Sequence, residues 1–256
     1  MKLAVAGKGG VGKTALTAWL GDYLRRGGHQ AWLVDADTTL SLGPALGLPF
    51  SRIPLPLSQD AALAAERAGN GGLLSLTPDV ADLPDRLSLD VDGLRLLVMG
   101  TVAGAGGGCA CAANAVLKAL LAHLFLTPDQ WVLVDLEAGV EHLGRGTVAA
   151  ADGLIVVSEP SLRGLVAAAS IGAMARDLGL NRQALVLNRC DTVPTLPDLP
   201  GLPPLAASLP LFPSLAARQL TDASVLGLPE RDRIDAALAK VLAALTRSSR
   251  PASGAP

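Results

Sequence analysis

Eight consecutive residues, Gly7-Lys8-Gly9-Gly10-Val11-Gly12-Lys13-Thr14, have the composition and spacing to hold a polyphosphate. The run follows a short apolar stretch and precedes an amphipathic one, the strand–turn–helix context that a phosphate-binding loop needs. Backbone N–H groups of Gly7, Gly9, Gly10, Val11 and Gly12, with the positive end of the following helix, form the cradle. Lys13 is spaced to reach the β- and γ-phosphates, and the Thr14 hydroxyl to meet Mg²⁺. Two acids one residue apart, Asp35 and Asp37, close the next apolar run. Such a pair beside a phosphate loop suits Mg²⁺ handling and the positioning of a water. Asp135 closes a third run, Trp131-Val132-Leu133-Val134, and stands where a Walker B carboxylate holds Mg²⁺. The three pieces occur in the order such a site requires, and together they predict an ATP·Mg²⁺ site.

A second set of reactive groups is Cys109 and Cys111, after the glycines Gly106, Gly107 and Gly108. Placed at a helix N-terminus, both thiols would be biased towards thiolate. One pair supplies two soft ligands, half of a tetrahedral site. Two pairs facing each other across a dimer would supply four, enough for Ni²⁺ or Zn²⁺. Small buried residues are the plainer alternative for a Cys-x-Cys, and core filling is the better reading of Cys190.

Positioning these groups calls for alternating strands and helices. Apolar runs at 3–6, 31–34, 95–99, 131–134, 154–157, 184–187 and 206–209 read as strands, several of them continuously aliphatic as in sheets buried on both faces. Helical periodicity covers 13–26, 60–68, 112–124, 161–178, 213–220 and 229–246. The alternation predicts an α/β fold, a doubly wound and mainly parallel sheet flanked by helices, with ligands at the carboxyl ends of the strands. Residues 1–247 read as a single domain, with irregular proline-rich stretches at 48–59 and 192–204 and a disordered tail at 248–256.

A formal net charge of −2 gives no basic field for nucleic acid. The most apolar block, 112–126, is interrupted by Lys118 and His123 and is too short to span a bilayer. No leader precedes the first strand and three cysteines make no disulfide framework, so a cytoplasmic protein without membrane or nucleic-acid partners is expected.

Lys8 is one of only five lysines among the 21 basic residues, and it sits inside the phosphate loop. This makes the loop resemble those of the deviant Walker A ATPases, the group of MinD, ParA, the arsenite-pump ATPase and the nitrogenase iron protein. In that group two subunits sandwich two nucleotides. The resemblance implies a homodimer in which Lys8 reaches the partner's phosphates as an arginine finger does. It also implies that Asp37 orients the attacking water, that Asp35 supports the hydration of Mg²⁺, that Asn188 reads the adenine edge, and that Pro210 lines the base.

The resemblance narrows along Asp135-Leu136-Glu137-Ala138-Gly139-Val140-Glu141-His142-Leu143-Gly144-Arg145-Gly146-Thr147, which is similar to switch II of the CooC-type ATPases. These maturation factors insert nickel into carbon monoxide dehydrogenase. Cys109, Cys111 and Asn114 match that family's metal loop, and Ser158-Glu159-Pro160-Ser161 matches a further motif. The implied cargo is nickel at Cys109 and Cys111, and the implied client is apo carbon monoxide dehydrogenase, with acetyl-CoA synthase as an alternative. Two departures stand out. Ala112-Ala113 replaces a Pro-Glu, and Thr38-Thr39-Leu40-Ser41-Leu42 replaces the usual Pro, polar residue and Asn-Leu after the switch I acid.

Two rival readings remain open at this level. A positioning ATPase of the ParA or MinD kind would want a basic or amphipathic C-terminal helix, but Arg231, Arg233 and Lys240 alternate there with Glu230, Asp232 and Asp235. An iron–sulfur reductase like the nitrogenase iron protein would take cysteines from two separated positions rather than from one Cys-x-Cys.

Overall fold

The computed structural model describes residues 1–69, 75–101, 108–126, 130–137 and 151–246. Within them, eight strands form one sheet in the order β3-β4-β2-β5-β1-β6-β7-β8. The strands are β1 Lys2–Ala6, β2 Ala31–Ala36, β3 Leu89–Val91, β4 Leu94–Val98, β5 Trp131–Leu136, β6 Gly153–Ser158, β7 Gln183–Leu187 and β8 Leu205–Ser208. Every neighbouring pair is parallel except β3 with β4. Seven of these strands coincide with the apolar runs of the sequence, and the predicted mainly parallel α/β sheet is what forms.

The central strands bury both faces, so successive residues feed two separate cores. Ala4, Trp32, Val34 and Val134 join one core with α5 (Gly108–Leu126) and α6 (Leu162–Asp177). Leu3, Val5, Leu33 and Leu133 join the other with α1 (Lys13–Arg26) and α8 (Arg231–Thr246). Period-2 alternation thus divides one aliphatic run between two helical layers.

Both sheet edges are short. β3 is three residues long, carries exposed Asp90 at its centre, and turns into β4 through Asp92 (φ 51°) and Gly93 (φ 86°). Two successive positive φ angles make the tight hairpin turn that an Asp-Gly pair favours, and that pair was the available signal for this unpredicted strand. On the other edge, four-residue β8 is bracketed by Pro203-Pro204 and Pro210.

The short helices α2 (Leu42–Ala45), α3 (Ala61–Ala68), α4 (Leu83–Leu87) and α7 (Pro213–Arg218) pack around this frame. α5 begins at Gly108 rather than at residue 112. Ala112 and Ala113 are 3 % and 5 % exposed, so two strong helix formers sit against the core and carry the helix back through the cysteine positions. No described helix is long and apolar enough to cross a membrane.

Candidate functional site

Register decides the site. β2 and β5 pair so that Asp35 lies opposite Asp135, while Val5 of β1 pairs with Asp135 from the other side. Both carboxylates therefore reach the carboxyl edge of the sheet next to the loop leaving β1. Gly12, in the left-handed region (φ 99°), caps α1 and turns the chain from loop into helix. A side chain there would be strained by that backbone angle and would also strike the Asn188 amide.

The acids are buried: Asp35, Asp37 and Asp135 are 1 %, 7 % and 0 % exposed. Thr14 Oγ1 donates to Asp135 Oδ2 at 2.6 Å, which joins the loop threonine to the carboxylate of β5. Asp135 Oδ1 is buried and has no hydrogen-bond partner among the described residues. Loss of hydration pushes its pKa up to about 7; the Thr14 bond opposes this and the negative charge of Asp35 adds to it. An orphaned carboxylate oxygen beside a threonine hydroxyl fits Mg²⁺, which accepts one or two protein oxygens and keeps its waters.

Asp35 is raised to about 6, first by burial, against the stabilising N–H bonds from Leu42 (2.9 Å) and Asp37 (3.3 Å). Its carboxylate thus ties down the start of α2 and the backbone of switch I. Asp37 Oδ1 accepts from both the N–H (2.8 Å) and the hydroxyl (2.9 Å) of Thr39. Thr39 Oγ1 lies 3.1 Å from Ser41 Oγ. The threonine that departs from the family pattern therefore holds Asp37 in place. Leu40 takes a positive φ of 48°, and this turn follows directly from that local bonding.

An open cleft of about 660 Å³ lies over the loop, with Gly9, Gly10, Lys13, Thr14, Asp37, Thr39, Glu137 and Arg189 among its lining residues. A smaller cavity of about 140 Å³ continues from it past Gly12, Ala15, Arg189 and Gln219 to Pro210, Phe212 and Leu215. The trough offers Lys13, Thr14 and Asp37 over the loop and Pro210, Phe212 and Leu215 beyond it, groups that suit a phosphate chain and a base. Lys13 is 5 % exposed with Nζ 3.4 Å from the Lys8 carbonyl, whereas the Lys8 side chain is exposed. Pro210 and Asn188 both line the smaller cavity, and the Asn188 amide is turned to the loop.

Sequence reasoning missed the roof. Gln219, Ala223 and Val225 line the cleft from the C-terminal side. Trp19 of α1 donates its indole N–H to the Val225 carbonyl (2.8 Å), and Val225 N–H reaches the Ala45 carbonyl of α2 (2.9 Å). Those pairings span long sequence distances and leave no local signal. Cys190 is buried as core filling.

Cys111 is not grouped with the nucleotide acids. Cys111 is exposed and unpaired in the first turn of α5, with exposed Asn114 one turn on. For Cys109 only the helical backbone is described. Among the described residues no group of three or more His, Cys, Asp or Glu is arranged to hold a metal ion. The switch II stretch 138–150 and the tail lie outside the described residues.

Comparison with known proteins defines the class first. The family model of the CobQ/CobB/MinD/ParA nucleotide binding domain matches residues 2–199, and the chain belongs to that family. Among its relatives, the carbon monoxide dehydrogenase accessory protein CooC of Rhodospirillum rubrum is 38 % identical over 94 % of this chain and 96 % of its own length. An ATP-binding protein of Methanocaldococcus jannaschii is 36 % identical over 74 % of the chain and 75 % of its own length. The fold is that of MinD from Aquifex aeolicus, with a TM-score of 0.68 at 20 % identity over 98 % of each chain.

Proposed function

We propose that this chain is an ATP-hydrolysing maturation factor of the CooC kind, acting in the cytoplasm to help load nickel into apo carbon monoxide dehydrogenase. The carrying observation is the convergence of the glycine loop and Asp37 on one cleft, with buried Asp135 bonded to Thr14 of that loop, in a chain 38 % identical to CooC.

The Lys13 ammonium, already held in the loop, counters charge on the β- and γ-phosphates. Thr14 and Asp135 would hold Mg²⁺, which would supply positive charge to offset that of the transferred phosphoryl group and the leaving diphosphate. Asp37, fixed by Thr39, orients a water towards the γ-phosphorus. The new P–O bond forms as the bond to the bridging oxygen breaks, giving ADP and phosphate. Two copies close face to face around ATP, with Lys8 of each reaching the other's phosphates. Loss of the γ-phosphate reopens the pair. Cys109 and Cys111 of both copies then meet as four thiolates around Ni²⁺ or Zn²⁺ in the closed state and part in the open one.

Asp37→Ala is expected to lower kcat at least about a hundredfold while ATP affinity stays within about threefold, since the acid acts on the water rather than on the nucleotide. Steady-state hydrolysis paired with calorimetric titration reads both quantities; unchanged turnover would remove Asp37 from this role. Anaerobically purified protein with ATP present is expected to bind about one Ni²⁺ or Zn²⁺ per two chains, and the Cys109→Ala/Cys111→Ala double variant none. Equal metal content in the two proteins by elemental analysis would end the metal-carrier reading. Activation of apo carbon monoxide dehydrogenase by wild type, and not by the double variant, tests the client.

A further inference from the structure

Asn188 follows β7, two strands away from the P-loop strand, yet its side chain belongs to the P-loop. Its backbone N–H donates to the Ser158 carbonyl (2.8 Å), which keeps the residue in line with β6. Its Oδ1 accepts the Arg189 N–H (3.0 Å), and its Nδ2 donates to the Val11 carbonyl at 2.8 Å. The residue is 9 % exposed. A Cβ placed on Gly12 would lie 2.3 Å from the same Nδ2, so the loop backbone and this amide are built against each other. Other loop carbonyls are engaged locally: that of Lys8 by Val11 N–H (3.4 Å), and that of Gly12 by Leu16 N–H (3.0 Å). Val11's is held from across the sheet.

That contact has a directional consequence. A trans peptide is planar, and its C=O and N–H point in opposite directions. Fixing the Val11 carbonyl towards β7 therefore fixes the following N–H, that of Gly12, in the opposite sense. Gly12 lines the cleft beside Lys13 and Thr14. A phosphate cradle works through backbone N–H groups whose direction is set before the ligand arrives.

We infer that Asn188 is a positioning residue for the phosphate loop, aiming the Gly12 amide at the polyphosphate through the Val11 carbonyl. The inference rests on the nucleotide-binding reading and specifies how this chain organises that site. It also explains how a residue at the base end of the trough can act on the phosphate end: both Asn188 groups with described partners are engaged by protein backbone.

The test uses the full chain with Mg²⁺ and compares two ligands, ATP and inorganic tripolyphosphate, which has no base. Asn188→Ala should weaken tripolyphosphate by about tenfold, the size of losing one hydrogen bond and stranding a buried carbonyl, and ATP by at least as much. Asn188→Asp keeps the volume and the acceptor but turns a carboxylate oxygen towards the Val11 carbonyl. It should weaken both at least as much, and it carries the test if the alanine variant does not fold. Gln183→Ala is the control. That glutamine is buried on the same strand and donates to the Gly172 and Leu180 carbonyls, so its loss should lower the melting temperature without moving either affinity. Weakened ATP binding with unchanged tripolyphosphate binding would show Asn188 to be a base reader and overturn the inference. Unchanged affinity for both would overturn it as well. Failure of the wild type to bind either ligand would instead strike the nucleotide reading itself.

Discussion

Lys13→Ala is expected to cut ATP turnover between about a hundredfold and a thousandfold while leaving the nucleotide-free fold at least as stable as wild type. The two halves of that result come from one geometry. Lys13 is 5 % exposed, and its described acceptor is the Lys8 carbonyl at 3.4 Å, a long contact to a neutral group. A buried ammonium held this way contributes little to folding and is costly to desolvate. It becomes well paired only when phosphate oxygens enter the cleft, where it stabilises the charge that develops during transfer. Hydrolysis assays together with thermal unfolding in nucleotide-free buffer read both halves. Turnover near the wild-type value would remove the loop from the mechanism. A large loss of stability would mean that the lysine is structural.

Asp135→Asn should lower turnover by a similar factor and should make the Mg²⁺-free protein more stable at pH 8. Burial has raised the Asp135 pKa from the ordinary 3.8 to about 7, so between those values the folded chain holds a proton that the unfolded chain has released. Stability is then fullest below about pH 4 and falls as pH rises towards 7, by at most about 1.4 kcal/mol per pH unit for this group. Asp35, raised from 3.8 to about 6, adds to the lower part of the same window. Asparagine keeps an acceptor for the Thr14 hydroxyl, which donates at 2.6 Å to Oδ2, and carries no charge to desolvate. The variant's decline with pH should therefore be shallower. Urea unfolding in EDTA at pH 5 and pH 8 tests this, and a variant weaker than wild type at pH 8 contradicts it. With Mg²⁺ and nucleotide present the order should reverse, because only the aspartate gains a cation.

These sites could be read from the sequence because their signals are local. A glycine loop announces its own backbone, and α1 starts and stops where predicted, at Lys13 and Arg26. Asp35 and Asp135 stand at the ends of aliphatic runs, so their placement at the sheet's carboxyl edge follows from strand direction alone. The start of α5 was misplaced because glycines and small residues before residue 112 carry no helical period, while the burial that extends the helix is tertiary. β3 was missed because three residues cannot show alternation, although Asp92-Gly93 marked its turn. The roof over the cleft depends on Trp19 meeting Val225, 206 positions away, which no window of sequence contains. Asn188 was assigned to the nucleotide by resemblance, and its partner in the structure, the Val11 carbonyl, is a backbone atom that residue types do not reveal.

The blunted sheet edges constrain how copies of this chain can meet. A reversed three-residue strand with Asp90 at its centre terminates one side, and a four-residue strand between prolines terminates the other. Neither offers a run of free amides and carbonyls on which a neighbouring sheet could grow. Association by strand addition would be long-lived and indifferent to the contents of the cleft. With that route closed, contact is left to the helical faces and to the loops at the strand ends, where the attraction between copies can depend on whether a γ-phosphate is there to be shared.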